Sequence, residues 1–456
     1  MSYSAELEDL LGRLNKYQLK AVETTDGLVC LTGVPCSGKT ATIVDRIAKT
    51  VADGVDPDLI LAMTFTRAAA AEMNDRLKSL GIVGARVGTI HSVCRQIAAA
   101  DSVLISAGKF DERESMSIQL KKILVGMRRE RMIEDDYGVD FEAVKRFIAF
   151  CKAKGICYID GDVFGLNPYY ASNIRRQAEH WAVDTGIHPA ILFKIYAALE
   201  LKRSELGLYD YDDMLLWAWL TLISNPEARD RWRNRWNFII VDETQDSSPV
   251  QWDVALLLAG LDSSIPGVQA LPAPPEEDDK PHNLLVAGDA AQSIYAFRSA
   301  EPDNFVAFAN DPRVQKLALP INYRSTPTIC RVASNLVRGK RWHLSGDMQP
   351  FNKKDWANSV QVKEYPDPSA EALDVISRCQ QIGLTEGLKS CAVLSRLRVS
   401  LDLAEIMCIA KKMKYIKMAS GSLFESSEVN DILAYLRVSC GFDPDGRWVR
   451  HVINKP

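Results

Sequence analysis

The sequence predicts an α/β protein: a parallel β-sheet with helices on both faces, interrupted by a helical insertion and followed by part of a second α/β domain. Three observations carry this. Short apolar runs at Leu28–Leu31, Leu59–Thr64, Ala85–Ile90, Phe238–Val241, Leu284–Ala287 and Lys316–Ile321 alternate with helical stretches, as strands buried on both faces do. The first run leads directly into Gly33-Val34-Pro35-Cys36-Ser37-Gly38-Lys39-Thr40, which spells G-x-x-x-x-G-K-T. Between about Asp101 and Trp236 the pattern changes to long helices with few strand signals, which marks an insertion.

The first run and its loop read as a strand, a phosphate cradle and a helix start. Backbone N–H groups of the loop, with Gly33, Ser37 and Gly38 among its residues, are suited to wrap phosphates, and the helix N-terminus adds partial positive charge. Lys39 is placed to reach the β- and γ-phosphates and the Thr40 hydroxyl to ligate Mg²⁺. A glycine-rich strand–helix turn with a surface lysine fits the same eight residues.

Composition bounds the rest. A chain of 456 residues is too long for one core, and 47% hydrophobic with 25% charged residues suits an ordinary globular protein. The formal net charge of −4 gives no general basic signature, so nucleic-acid contact must use local patches. The ten cysteines contain no C-x-x-C pair, which favours reduced thiols and a cytoplasmic setting. No apolar run approaches the roughly 20 residues that span a bilayer. The stretch Leu271–Pro281, rich in proline and acids, is expected to be an exposed flexible loop. From Ser359 onward Val360–Glu364, Cys391–Leu394 and Tyr415–Met418 read as strands of a second α/β unit.

Polar residues sit at the carboxyl ends of the predicted strands, where open α/β sheets bind ligands. Phe238–Val241 ends in Asp242-Glu243. A strand-end aspartate can hold Mg²⁺ and the adjacent glutamate can orient and deprotonate an attacking water; an acidic helix cap is the plainer alternative. Leu284–Ala287 runs into Gly288-Asp289-Ala290-Ala291-Gln292-Ser293-Ile294-Tyr295-Ala296-Phe297-Arg298. There Gln292 is placed to sense a γ-phosphate, and Tyr295 and Phe297 either offer ring faces to unpaired bases or fill the space under the loop. Phe65, in Thr64-Phe65-Thr66-Arg67-Ala68-Ala69, is likewise core or base platform, with Thr66 suited to cap the next helix.

Taken in order, these segments resemble the motif set of superfamily-one DNA helicases of the UvrD/Rep/PcrA type, over nearly the whole chain from Leu14. Leu14-Asn15-Lys16-Tyr17-Gln18 resembles the Q motif, in which Gln18 would read adenine, although Asn15 and Gln18 also spell a capping box. Thr64–Met73 resembles motif Ia and Gly88-Thr89-Ile90-His91-Ser92 motif Ib, so Phe65, Thr89 and His91 would contact DNA. A lone histidine is more often a hydrogen-bonded structural residue. Val241–Asp246 resembles motif II, with Asp242 and Thr40 as the metal pair and Glu243 as the catalytic base. Gly288–Arg298 resembles motif III, with Gln292 at the γ-phosphate and Tyr295, Phe297 and Arg298 at DNA. Pro320-Ile321-Asn322-Tyr323-Arg324-Ser325 resembles motif IV, where Tyr323 would stack near adenine and Arg324 would reach the γ-phosphate. Tyr209–Met214 resembles the segment leading back from the insertion.

The resemblance implies a RecA-like ATP-binding domain over 1–100 and 237–315, a helical subdomain over 101–236, a partial second RecA-like domain over 316–421 and the start of a further insertion over 422–456. It implies ATP and Mg²⁺ as ligands and single-stranded or partly duplex DNA as partner. The activity implied is a 3′-to-5′ ATP-dependent translocase or helicase. Two departures stand out: Pro35-Cys36 replaces the family's small Ala-Gly pair, and Arg67-Ala68 replaces Asn-Lys. No segment resembles motifs V or VI. The expectation is therefore a truncated or split protein, with a second polypeptide as the source of the rest. The alternatives are an ATP-gated DNA-binding protein or regulatory fragment without unwinding, and an unrelated phosphate-loop ATPase.

Overall fold

The computed structural model describes residues 10–101, 109–110, 115–130, 141–159, 162–164, 181, 187–265, 283–355, 360–385, 391–418, 427–442 and 449. The expected flexible loop Leu271–Pro281 and the segment Gly421–Glu425 lie outside them.

Strands β1 (Leu28–Gly33), β2 (Ile60–Thr64), β3 (Arg86–Thr89), β4 (Phe238–Val241), β5 (Asn283–Gly288) and β6 (Gln315–Leu319) form one six-stranded sheet in the order β6-β1-β5-β4-β2-β3. Every pairing in it is parallel. Parallel strands need crossovers, and helices supply them on both faces. Side-chain alternation divides the strands between two cores. Val29, Leu31, Ile60, Ala62, Ile240 and Leu285 face the first. That core is completed by α1 (Lys16–Glu23), α2 (Lys39–Ala52) and α3 (Arg67–Ser79). Cys30, Leu61, Met63, Ile239, Leu284 and Val286 face the second. It is completed by α4 (Ile90–Asp101), α8 (Tyr211–Ser224), α10 (Pro249–Leu258) and α11 (Pro302–Ala309). The four central runs, β1, β2, β4 and β5, thus read as double-buried strands because they are, while β3 and β6 at the two edges are only partly buried.

The insertion has its own core. Helices α5 (Ser115–Arg129), α6 (Phe141–Ala153) and α7 (Pro189–Leu206) bury Leu120, Phe147, Ile148, Ile195 and Leu199 among themselves. Helix α8 and the short α9 (Pro226–Arg233) send Leu216, Trp219, Leu222 and Trp232 into the second core of the sheet. Helix α8 is apolar on nearly every side and can be satisfied only by burial all round. The buried Asp253 carboxylate fixes it further by accepting from the Trp219 indole N–H at 2.6 Å.

A buried ionic cluster ties insertion to sheet domain. Lys152 of α6, with its side chain fully buried, meets Asp213 Oδ1 at 2.5 Å, Glu200 Oε1 at 3.1 Å and Asp210 Oδ2 at 3.4 Å. Arg203 of α7 reaches the same three carboxylates. Burial works against the Lys152 charge, but the carboxylates hold its pKa above the ordinary lysine value.

Strand β6 pairs with β1 over Val29↔Gln315 to Gly33↔Leu319, so the first sheet extends to Leu319. Two compact units are separated near Ser359 and Val360. Within the second, the regular described elements are α12 (Pro368–Thr385), α13 (Arg398–Ala410) and α14 (Ser427–Ser439). The described residues of the expected strands Val360–Glu364, Cys391–Leu394 and Tyr415–Met418 form no ladder. Val362, Leu394, Ile416 and Met418 are more than four-fifths exposed, so the burial that stabilises strand pairing is missing there.

Candidate active site

The phosphate loop is built by the transition from β1 to α2. Gly38 has φ +84° at the helix start, a conformation open to glycine at no cost. Gly33 has no room for a side chain, since a Cβ would lie 2.6 Å from Lys39 Cγ and 2.7 Å from Ser37 Oγ. Cys36, at the position usually held by a small residue, adopts φ 55°, a strain of about 1–2 kcal/mol for an L-residue. The Lys39 ammonium is buried and donates to the Gly33 carbonyl at 3.1 Å. Ser37 is 2% exposed and its hydroxyl has no hydrogen-bond partner among the described residues. An orphaned hydroxyl, a lysine and a glycine-framed loop fit a phosphate group.

Facing the loop is the end of β4, next but one to β1 in the sheet. The Thr40 hydroxyl donates to Asp242 Oδ2 at 2.8 Å, which brings the two expected metal ligands together. Burial, and then Glu243, push the Asp242 carboxyl up to about 6; the Thr40 hydroxyl, the Glu243 N–H and Lys39 pull the other way. Glu243 itself sits at φ 51°, in the left-handed region that L-residues seldom adopt. Its Oε2 accepts from Gln245 Nε2 at 2.7 Å.

Gln245 links the ends of two strands. Its Oε1 accepts from the Asp289 N–H after β5 at 3.0 Å, and its carbonyl accepts from Ser293 Oγ at 3.1 Å. Gly288 is glycine for this reason: a Cβ there would lie 2.3 Å from Gln245 Oε1. Gln292 is oriented by donating to Asp289 Oδ2 at 2.6 Å. It lines a cavity of about 190 Å³ together with Val34 and Pro35 of the phosphate loop.

The loop after β6 closes the other side. Asn322 is buried; its Nδ2 donates to the Pro35 carbonyl at 2.8 Å, and its Oδ1 accepts from the N–H groups of Arg324 at 2.9 Å and Ser325 at 2.7 Å. Tyr323 N donates to the Cys36 carbonyl at 3.1 Å. Arg324 is exposed and takes part in no ion pair among the described residues. Gln18 is anchored at two points. It completes the capping box with Asn15, and its Nε2 donates to the Ser37 carbonyl at 3.3 Å.

A row of rings lies along the neighbouring loops. Phe65 and Tyr295 have centroids 5.0 Å apart, Tyr295 and Phe297 5.8 Å, and the Arg298 guanidinium lies 5.7 Å from the Tyr295 ring and 5.8 Å from Phe297. Phe297 is 71% exposed, too open for a core residue. Thr89 differs from the rest: its hydroxyl accepts from Ser92 N and acts as a cap for α4. His91 stands edge-on to Tyr211, 6.4 Å between centroids. Burial first, then Arg298 and Arg67, lower its pKa.

Residues 14–313 match the family model for the UvrD/REP helicase N-terminal domain. The chain belongs to the UvrD/REP helicase family. Residues 317–456 match the UvrD-like helicase C-terminal domain. The chain is 27% identical over 457 residues to the ATP-dependent DNA helicase PcrA of Bacillus subtilis, covering 98% of this chain and 56% of that one. It is 25% identical over 462 residues to the ATP-dependent DNA helicase Rep of Buchnera aphidicola, covering 97% and 60%. With Rep of Salmonella typhimurium the identity is 26% over 457 residues, covering 97% and 60%. The chain therefore spans less than two thirds of the length of these UvrD/REP relatives. Gln245 and Asn322 join the site without any sequence signal of their own beyond the motifs that contain them; the Asx turn of Asn-x-x-Ser hints at the second.

Proposed function

We propose that this chain is the ATP-hydrolysing motor portion of a DNA helicase or single-stranded DNA translocase, working on DNA in the 3′-to-5′ direction. One observation carries the reading. Gln292, beside the phosphate loop, and Tyr295, in the row of rings, sit three residues apart in a single loop after β5. A change at the γ-phosphate therefore has a covalent route to the surface where bases would stack.

In this reading the loop N–H groups and Lys39 hold the triphosphate, and Lys39 exchanges the Gly33 carbonyl for phosphate oxygen. Thr40 and Asp242 would hold Mg²⁺, which would supply positive charge to offset that of the phosphates. Glu243 takes the proton of the attacking water, Gln292 orients that water and the γ-phosphate, and Arg324 stabilises charge from the loop after β6. Phe65, Tyr295 and Phe297 stack unpaired bases, with Arg298 against the backbone. The chain uses ATP and Mg²⁺ as its ligands and DNA as its partner.

The test is ATP turnover with and without single-stranded DNA. Turnover stimulated by DNA and abolished in Lys39→Ala and Glu243→Gln is the expected result. ATP binding with no turnover under either condition would replace the motor by an ATP-gated DNA-binding protein, and turnover indifferent to DNA by another kind of phosphate-loop ATPase.

A further inference from the structure

Two aromatic rings beside the phosphate loop lie apart from the row just described. Tyr323, 40% exposed, and Phe351, 63% exposed, have ring centroids 4.9 Å apart at an interplanar angle of 40°. The pairing is not an accident of loose side chains. The segment Ile321–Asn322 runs parallel to Gln349–Pro350, with Gln349 N donating to the Pro320 carbonyl at 2.8 Å and Phe351 N to the Asn322 carbonyl at 2.9 Å. The backbone thus fixes the point from which the Phe351 side chain reaches Tyr323.

Tyr323 is held at two further points. Its N–H donates to the Cys36 carbonyl, and its hydroxyl accepts from Asn15 Nδ2 at 2.6 Å. Asn15 is also the cap of α1, accepting from Tyr17 N at 2.8 Å and Gln18 N at 3.1 Å, so it cannot drift. The ring of Tyr323 is therefore pinned at backbone, hydroxyl and one flank, next to Gln18, and still offers surface to solvent. A ring fixed in this way before binding loses little rotamer freedom when a planar base settles on it.

We propose that Phe351 is a positioning residue for nucleobase recognition: it holds the Tyr323 ring in the plane on which the base of the nucleotide stacks. This rests on the nucleotide site proposed above. Phe351 makes no claim on the phosphates, so its contribution belongs to the base alone.

The experiment compares the binding of Mg²⁺–ATP and Mg²⁺–tripolyphosphate, which lacks a base, to the full chain and to Phe351→Leu and Phe351→Tyr. Leucine keeps apolar bulk at an exposed position without a ring, so folding is preserved. Phe351→Leu is expected to weaken ATP about 3- to 10-fold, the worth of one aromatic pair, and to leave tripolyphosphate unchanged. Phe351→Tyr is expected to restore ATP affinity. In turnover assays the KM for ATP should rise with kcat preserved. Unaltered ATP affinity in Phe351→Leu, or an equal loss for tripolyphosphate, would overturn the assignment while leaving the phosphate site intact. Failure of the unsubstituted chain to bind either ligand would remove the nucleotide site itself.

Discussion

The hydroxyl of Thr40 donates to the carboxylate of Asp242 at 2.8 Å, although 202 positions separate them in the chain. The bond marks where the two would share a divalent cation. Thr40→Val keeps the shape and removes the oxygen. It is expected to weaken Mg²⁺-dependent ATP binding about 10- to 100-fold, the range for a hydrogen bond to a charged group. Thr40→Ser should retain most of it. A Mg²⁺ titration followed by a fluorescent nucleotide measures both, and an unshifted midpoint for Thr40→Val would count against the pair.

Asn322 fastens the loop after β6 to the phosphate loop through one side chain with three bonds. Asn322→Asp keeps the acceptor for Arg324 and Ser325 and loses the donor to Pro35. Asn322→Ala loses all three. Stability should fall by roughly 1–3 kcal/mol for each group left buried and unsatisfied, so the alanine variant is expected to be the weaker. Urea midpoints rank the two, and equal midpoints would show that the Pro35 bond alone matters.

Lys152 is a buried cation serving three carboxylates. Lys152→Met leaves those carboxylates to Arg203 alone. Destabilisation of about 3–5 kcal/mol is expected, as for other broken buried pairs. Denaturant unfolding followed by tryptophan fluorescence would register it, since Trp219 lies on the adjoining helix α8. A variant as stable as the parent would mean that the cluster repacks without cost.

His91 gives stability a pH dependence of known sign. Its pKa is held below the ordinary 6.5 by burial, then by Arg298 and Arg67. In the unfolded chain it takes up a proton near pH 6.5; in the folded chain only lower. The neutral imidazole's contribution is thus complete above pH 6.5 and shrinks as pH falls toward the folded value, by up to about 1.4 kcal/mol per unit. His91→Gln should flatten this part of the curve. Midpoints measured between about pH 5 and pH 7 decide it: parallel curves for the two proteins would refute the shift.

Much of the fold was legible because the physics was local. Strands buried on both faces must be apolar throughout, so β1, β2, β4 and β5 announce themselves, and ligand-binding groups gather at their carboxyl ends by topology. Helix α8 was harder. A helix apolar on all sides has no stripe to say which core it joins, and Trp219 and Leu222 proved to belong to the sheet. The runs around Val362, Leu394 and Ile416 have strand composition, but composition cannot supply a neighbour. In the site, Lys39, Thr40 and Asp242 follow from motif chemistry. The parts played by Gln245 and Asn322 depend on which strand ends become neighbours, and nothing in their own surroundings in the sequence encodes that.

The placement of β6 has a mechanical meaning. The strand lies against β1 in parallel register from Gln315 to Leu319 and passes through Pro320 straight into the loop that bears Tyr323 and Arg324. Tension applied to that loop along the strand direction loads the whole backbone ladder in shear, with its bonds sharing the force rather than unzipping in turn. A segment anchored in this manner resists being torn from its sheet when its loop is pulled.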